Sequence, residues 1–191
     1  GRYYDPYTIE YYILGARFEL WENGDTDEAL AILESGTPYY MKSEDDTLAS
    51  DIYIMMGDLY HMQDKLAECY AAYDSALALV PDNAGVLNNY AYFLSLENRD
   101  LDRAQIMAHK ANELAPNNAT YLDTYAWVLY QAGQYTQARI YIDRALEVMT
   151  EEEQSATYYQ HAGDIYWKLG EKTKARKFWK QAEMLPAPED E

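Results

Sequence analysis

Small side chains recur in this 191-residue sequence at two sets of positions, and both sets have nearly the same period. The first set has spacings of 34, 35 and 37 residues and consists of Gly57, Ala91, Ala126 and Gly163. The second set has spacings of 35, 34 and 37 residues and consists of Ala76, Ala111, Ala145 and Ala182. A period of this length is typical of chains in which one helical hairpin is stacked several times. Because a single hairpin cannot bury its own apolar face, such repeats must pack on one another.

Residues 119–146 show most clearly what one repeat contains. Apolar residues at steps of three and four, as on one face of an α-helix, are Leu122, Tyr125, Ala126 and Leu129. Gly133 interrupts this pattern, and glycine tolerates the positive φ at which helices commonly end. The spacing then resumes in Tyr135, Ala138, Ile142, Ala145 and Leu146. The segment is therefore predicted to form two amphipathic helices joined by a tight turn.

The charge of the sequence disfavours two kinds of binding. The formal net charge is −18, from 33 acidic and 15 basic residues, and residues 1–155 carry all of it. Nucleic acids and anionic membranes attract clustered lysine and arginine, so we expect neither to bind. No apolar run approaches the roughly 20 residues that span a bilayer, so we expect no direct membrane insertion. Residues 172–180 are unusually basic, as the polar outer face of a terminal repeat would be.

The sequence contains no pattern that is typical of a catalytic or metal site. Cys69 is the only cysteine, which excludes an internal disulfide and a multi-cysteine metal site. His61, His109 and His161 fall in three different repeats, and none has a partner at metal-binding spacing on its helix. Cys69 itself occupies a small-residue position, which favours a buried structural thiol over a nucleophile. We therefore expect no enzymatic activity, no cofactor and no metal.

The repeat resembles the tetratricopeptide repeat, whose signature combines large and small residues at fixed positions of two helices. The best match in this sequence is Tyr53, Met56, Gly57, Tyr60, Cys69, Tyr73, Ala76 and Pro81. Three departures are visible: the first large position is Tyr or Leu instead of Trp, residues 97–100 make a longer turn, and Thr150 replaces a proline. The resemblance extends from Thr8 to Pro186 and is to the bacterial members of the family.

This resemblance implies an all-α fold, a right-handed superhelical solenoid of about five helix-turn-helix hairpins. We predict one domain, residues 1–191, with repeats at 8–46, 47–83, 84–118, 119–153 and 154–186 and a non-helical tail at 187–191. The small residues are expected where the two helices of a hairpin cross, with Tyr73, Ile142 and Trp179 filling the gap to the next repeat. In the first repeat, Asp25 or Thr26 is expected to cap the second helix and Gly36 to end it. Residues 37–46 are predicted to be a surface loop because they contain a proline and an acidic run.

The resemblance also implies a binding surface, because the first helix of each repeat lines the concave groove in this family. The predicted binding residues are Tyr12, Ile54, Asp58, Asn88, Tyr92, Asp123, Trp127, Tyr130, Gln160, Asp164 and Trp167. Large aromatic side chains are common anchors of protein interfaces. The alternative is that neighbouring helices bury these aromatic rings, and the sequence leaves both interpretations open.

The function implied is a non-catalytic scaffold whose concave groove binds a neutral or basic segment of a protein or peptide partner. Family members that bind acidic C-terminal tails use a clamp of Lys, Arg and Asn on this face. Asn88 or Asn89 could supply the asparagine, but the sites of the basic residues hold Tyr12, Ile54, Asp123 and Gln160. We therefore predict no binding of an acidic tail. The alternatives are a structural array that self-associates through its terminal hairpins and positions a partner domain, or an enzymatic or small-molecule site. The sequence leaves the partner's identity and the compartment open.

Overall fold

The structure is a computed structural model, and it describes residues 9–42 and 44–185. In this part of the chain every regular element is helical, which confirms the all-α prediction. The helices are α1 (Ile9–Phe18), α2 (Thr26–Ser35), α3 (Thr37–Tyr40), α4 (Asp46–Met62), α5 (Leu66–Leu79), α6 (Ala84–Leu96), α7 (Leu101–Leu114), α8 (Ala119–Gln131), α9 (Tyr135–Val148), α10 (Ala156–Lys168) and α11 (Lys172–Ala182). A short π-helical segment, Glu19–Asn23, follows α1. The predicted tail, residues 187–191, and both outer ends of the predicted repeats lie outside the described residues.

Consecutive long helices pair as antiparallel hairpins. Helices α1 and α2, α4 and α5, α8 and α9, and α10 and α11 pack against each other. Helix α7 contacts α6 through Arg103, whose guanidinium lies 4.6 Å from the centre of the Tyr90 ring and donates to its hydroxyl. The chain divides into two compact units, Gly1–Val86 and Leu87–Glu191, which we call unit 1 and unit 2. The single-domain boundary stays a prediction.

The hairpin turns depend on residues that adopt the left-handed conformation. Gly133 has a φ of 75°, which confirms the predicted stop between α8 and α9. The turn before α5 uses Asp64 at 57°, and the turn before α7 uses Asn98 and Asp100 at 51° and 42°. Asp and Asn tolerate this region better than other residues with a side chain. These turns explain how repeats without a glycine still form a tight hairpin.

Unit 1 buries one apolar cluster between its helices. The cluster is formed by Ile13, Ala16, Ala29, Leu30, Leu33, Tyr40, Ala49, Ile52, Met56, Leu59 and Ala72. Asp25 caps α2 by accepting a hydrogen bond from the Glu28 backbone amide at 2.9 Å, and Gly36 follows its last residue, as predicted.

The prediction of a surface loop at residues 37–46 is wrong for its first part. Residues 37–40 form α3, with Pro38 in the first turn, where a missing backbone amide costs nothing. Tyr40 at its end is 2% exposed and packs edge-on against Tyr53. Burial of this ring favours the helical turn over an open loop. Ser43, in the same stretch, lies outside the described residues.

Unit 2 places small residues at its helix crossings, as predicted. Ala104, Ala126, Ala138 and Ala175 are each 0% exposed. Ile142 belongs to the same buried cluster as Ala162 and Ile165 of α10, so it fills the space toward the next repeat as predicted.

The expectation for Tyr73 and Trp179 needs correction, because each ring covers the glycine of its own hairpin. A Cβ added at Gly57 would lie 2.5 Å from the Tyr73 ring. A Cβ added at Gly163 would lie 2.2 Å from Nε1 of Trp179. These two crossings therefore need glycine, because the second helix brings an aromatic ring onto the first.

Candidate functional site

The predicted binding residues divide between the two units. Unit 1 contains Tyr12, Ile54 and Asp58, and unit 2 contains the other eight.

In unit 1, Tyr12 lies in the core instead of on an open surface. Its side chain is 8% exposed, and its ring stacks on Tyr39 at 5.6 Å and meets Tyr40 edge-on at 6.4 Å. Ile54 is half-buried on α4, and Asp58 accepts a hydrogen bond from the Tyr73 hydroxyl. The structure thus shows packing contacts for Tyr12 and Asp58.

In unit 2, four predicted or neighbouring residues form one compact stack between α8 and α10. The ring of Trp127 lies parallel to that of Tyr130, with centroids 4.8 Å apart and an interplanar angle of 11°. Its other face covers His161 at 4.0 Å and 14°. Nδ1 of His161 lies 3.0 Å from both carboxylate oxygens of Asp123. Asp123 and His161 are 4% and 6% exposed, so this pair belongs to the interior of unit 2.

Both faces of the Trp127 ring are therefore occupied. Its indole Nε1 is also buried, without a hydrogen-bond acceptor in the described part of the chain. A ligand could reach only the edge of this ring. For Trp127, the structure favours the interpretation that neighbouring helices bury the aromatic residues.

The remaining residues of unit 2 vary in how accessible they are. Trp167 on α10 is 39% exposed, and Gln160 on the same helix is also exposed. Asp164 lies between them and accepts a hydrogen bond from Nε1 of Trp179 at 3.0 Å. Burial raises the pKa of Tyr130 above its ordinary value, and the carboxylate of Asp164 raises it further. The accessible part of the predicted surface is thus centred on α10.

Asn88 and Tyr92 on α6 contribute less to an open surface. Asn88 is 4% exposed and donates from Nδ2 to Oδ1 of Asn89 at 3.2 Å. Tyr92 is half-buried beside Phe93, with ring centroids 6.2 Å apart.

Cations lie close to the aromatic rings of this surface. Nζ of Lys172 is 5.2 Å from the centre of the Trp167 ring, and Nζ of Lys168 is 5.8 Å from that of Tyr135. Such contacts are weakly attractive at exposed sites. The surface therefore combines an aromatic ring with charges of both signs.

Sequence reasoning missed His161, which is the residue that connects Asp123 to the aromatic stack. The available signal was that Asp123 and His161 lie on the first helices of consecutive repeats, 38 residues apart. That separation is close to one period, so the two side chains were candidates for contact between neighbouring hairpins.

A second concave region lies along α9, outside the predicted surface. It is an open cleft of about 810 Å³ lined mainly by charged residues: Arg139, Ile140, Asp143, Arg144, Glu147, Val148, Tyr166 and Lys174. Arg139 and Lys174 both pair with Glu171, at 3.3 and 3.1 Å. The Tyr166 hydroxyl donates to Asp143 at 2.7 Å. Most of these charges are thus satisfied within the chain.

Across residues 9–42 and 44–185, no group of histidine, cysteine and carboxylate side chains is arranged to hold a metal ion. No helix in the same ranges is both long enough and apolar enough to cross a membrane.

Comparison with known proteins gives consistent matches to repeat proteins. Residues 156–186, which contain α10 and α11, match the family model described as tetratricopeptide repeat. A curated relative, the TPR repeat-containing protein PA4667 of Pseudomonas aeruginosa, is 26% identical over 150 residues, which cover 78% of this chain. These residues span about a quarter of that relative, 24% of its length.

Solved structures share the fold over nearly the whole chain. MamA of Desulfovibrio magneticus has a TM-score of 0.76 at 15% identity, covering 96% of this chain and 97% of that one. Pseudomonas aeruginosa PilF has a TM-score of 0.73 at 21% identity, covering 95% and 78%. BtubC of P. vanneervenii has a TM-score of 0.75 at 18% identity, covering 96% and 84%.

Proposed function

We propose that this chain, which belongs to the tetratricopeptide-repeat family, is a non-catalytic scaffold that binds a neutral or basic protein segment. The family match and the shared fold support a protein-interaction role in general. The finer proposal is that the segment binds unit 2 along the first-helix side, the part of the predicted concave groove that contains α8 and α10.

The observation that carries this proposal is the exposure of Trp167. An indole ring that is 39% exposed keeps apolar area in contact with water. Burying such a ring in a partner contact is favourable, and tryptophan is enriched among the residues that dominate interface energies. Exposed Gln160 and half-buried Asp164 lie on the same helix and can supply polar contacts around it.

Trp127 has a different role in this proposal. Because Tyr130 and His161 cover its two faces, we assign it to the support of α8 against α10. The partner would then contact Tyr130, at the end of the stack, and would bury the ring of Trp167 as its main apolar contact.

The proposed sign of the partner's charge rests on the long-range field of residues 1–155, which carry the whole net charge. A net charge of −18 attracts basic segments and repels acidic ones, and this effect weakens as salt rises. The clamp positions in unit 2 hold Asp123 and Gln160, so no basic side chain at either position would bind a terminal carboxylate.

Peptide binding to the full chain tests the proposal. Extended peptides that share one aromatic residue and differ only in net charge should bind in the order basic, neutral, acidic. Trp167→Ala should weaken binding of the basic peptide about tenfold, because the anchor ring is lost. The matched control is Ile106→Ala, which removes an exposed apolar side chain of α7 and should leave the affinity unchanged.

Equal affinity of the wild-type chain and Trp167→Ala would refute the assignment of the anchor. Micromolar binding of the acidic peptide would refute the proposed charge preference. Circular dichroism of each variant checks that the helical content is retained.

The alternative is that the chain is a structural array that associates with itself. The exposed apolar side chains of Tyr11, Leu14, Phe18 and Trp21 favour this alternative.

A further inference from the structure

The first helix and the π-helical segment after it expose a row of large apolar side chains. Tyr11, Leu14, Phe18 and Trp21 are 44%, 45%, 59% and 88% exposed. They are spaced by three, four and three residues, so they lie along one side of the helix. We call these four residues the α1 stripe.

The hairpins α8–α9 and α10–α11 bury the positions that correspond to Tyr11 and Phe18. Counted from the small residue of each first helix, Tyr11 and Phe18 correspond to Leu122 and Leu129 of α8, which are 1% and 2% exposed. In α10 the same positions hold Tyr159 and Tyr166, at 9% and 4%. The α1 stripe is therefore a repeat-packing surface that nothing in the described part of the chain covers.

The stripe borders a largely apolar cleft of about 380 Å³. The cleft is lined by Tyr11, Tyr12, Leu14, Gly15, Ile32 and Ser35. Its lining comes from both α1 and α2, so it has the form of a groove between two helices. A helix that packs across such a groove would bury both the cleft and the stripe.

Charge indicates which helix fits. Residues 9–35 carry seven acidic side chains against a single base, Arg17. Among the described helices, only α11 has a net positive charge, with five bases and no acid: Lys172, Lys174, Arg176, Lys177 and Lys180. Both surfaces lie at predicted terminal repeats, one at each end of the described sequence.

We propose that the α1 stripe binds the α11 hairpin of a second copy of this chain, in a head-to-tail contact. The stripe supplies the apolar area, with exposed Met184 just after α11 as one partner for it. The acids around the stripe pair with the lysines of α11 and fix its orientation. Because the two surfaces differ, the first contact leaves one copy with a free α1 stripe and the other with a free α11 hairpin, and association continues with concentration.

Light scattering and sedimentation velocity on the intact chain test this contact, from the low to the high micromolar range. The wild-type average mass should grow past that of a dimer. Phe18→Ser combined with Trp21→Ser should weaken association about tenfold, because both side chains are exposed in the free chain and buried in the contact. Ile106→Ser, an exposed apolar residue of α7 outside both surfaces, is the matched control and should associate as wild type.

Charge reversal then identifies the occupant. One variant carries Glu10→Lys and Glu22→Lys beside the stripe, and the other carries Lys177→Glu and Lys180→Glu on α11; all four positions are exposed. Each variant alone should associate more weakly, because the reversed positions then face residues of like charge on the other surface. An equimolar mixture should regain association, because the reversed positions of one variant meet those of the other.

Three results would overturn the proposal. They are a mass that does not change with concentration, growth that stops at a dimer (as expected if two α1 stripes bind each other), and a mixture of the reversed variants that stays unassociated. Association of the Phe18 and Trp21 double variant at wild-type strength would equally remove the stripe from the contact.

Discussion

The hairpins α8–α9 and α10–α11 fill the crossing of their two helices with different pairs of residues. In α10–α11, Trp179 of the second helix lies on Gly163 of the first. In α8–α9, the residues at the same two positions are Ala126 and Ile142, and both are fully buried. Trp127 follows the small residue on α8, but its ring stacks on Tyr130 and on His161 of α10. At the crossing itself, the smaller glycine is paired with the larger Trp179, and the alanine with the smaller Ile142.

The two hairpins also differ in what holds the acidic residue of the predicted binding surface. Asp164 accepts its hydrogen bond from Trp179 within its own hairpin. Asp123 contacts His161 of the next hairpin. One carboxylate thus stabilises a hairpin internally, and the other connects two hairpins.

Substituting the small residue at each crossing should have the largest effect on the free energy of unfolding, and the two crossings should respond differently. Gly163→Ala should lower the free energy of unfolding by about 2–3 kcal/mol, because the added Cβ overlaps the Trp179 ring. Ala126→Gly should cost only about 1 kcal/mol, the intrinsic helix penalty of glycine. Urea unfolding followed by circular dichroism measures both. Intrinsic helix propensity alone predicts the opposite sign for Gly163→Ala, so a stabilised variant would contradict the packing explanation.

A double-mutant cycle provides the control for this prediction. A Trp179→Ile background gives α11 the residue that α9 has at the same position, Ile142. In that background, Gly163→Ala should be neutral or stabilising. The coupling free energy between the two positions should be at least about 1 kcal/mol, as for residues in contact. Additive effects would show that the Cβ and the indole do not compete for the same space.

Removing the carboxylate of Asp123 or of Asp164 should have an intermediate effect on stability. The size of the loss should distinguish the contact between hairpins from the contact within one hairpin. Asp123→Ala leaves the buried Nδ1 of His161 without an acceptor and should cost about 2 kcal/mol. Asp164→Ala leaves a half-buried indole nitrogen that water can reach, so the cost should be about 1 kcal/mol or less. Urea midpoints of the two variants, each compared with its Asn substitution, measure the difference. An equal or larger loss in Asp164→Ala would contradict the assignment of Asp123 to the interior.

The smallest effect concerns Tyr166, at the junction of α10 with α9. Burial, and the hydrogen bond that it donates to Asp143, raise the pKa of this hydroxyl above the ordinary value of 10.0. An acid whose pKa is raised by folding contributes its full stabilisation below the unfolded pKa and loses it as pH rises toward the folded value. The chain should therefore lose stability above about pH 10, and Tyr166→Phe should reduce this loss while costing about 1 kcal/mol at neutral pH. Unfolding midpoints between neutral and alkaline pH measure it, and an unchanged alkaline loss in Tyr166→Phe would assign that loss to other groups.

The sequence allowed the repeat architecture to be predicted because crossing positions impose the same requirement in every hairpin. Ala126 has its counterparts in Ala91 and Gly163, and Ala138 in Ala104 and Ala175, each about one period away; a larger residue would separate the helices. The burial of Tyr12 could not be predicted in the same way. Helix α1 has two overlapping apolar rows, and the signature fits the row containing Leu14, while the structure buries the row containing Tyr12 and Ala16.

The binding surface was less predictable than the fold. Position along a helix placed Trp127 beside the repeat signature, but it could not show that Tyr130 and His161 cover both faces of the ring. Those contacts depend on side-chain orientation across two hairpins, which periodicity does not encode. Trp167 has the position of Tyr130 in the next repeat and remains accessible, because no further first helix follows α10 in the described chain.

The four tryptophans of the chain occupy four different environments, which gives the molecule a built-in set of optical reporters. Trp21 is almost fully in water, Trp167 is partly so, Trp127 is enclosed between two rings, and Trp179 donates to a carboxylate. Indole emission moves to shorter wavelength when water is excluded from the ring. A contact at the α1 stripe should therefore shift the emission of Trp21, and a peptide on α10 should shift that of Trp167. Two variants that each retain one of these indoles, measured separately, would report the two binding events independently and without a label.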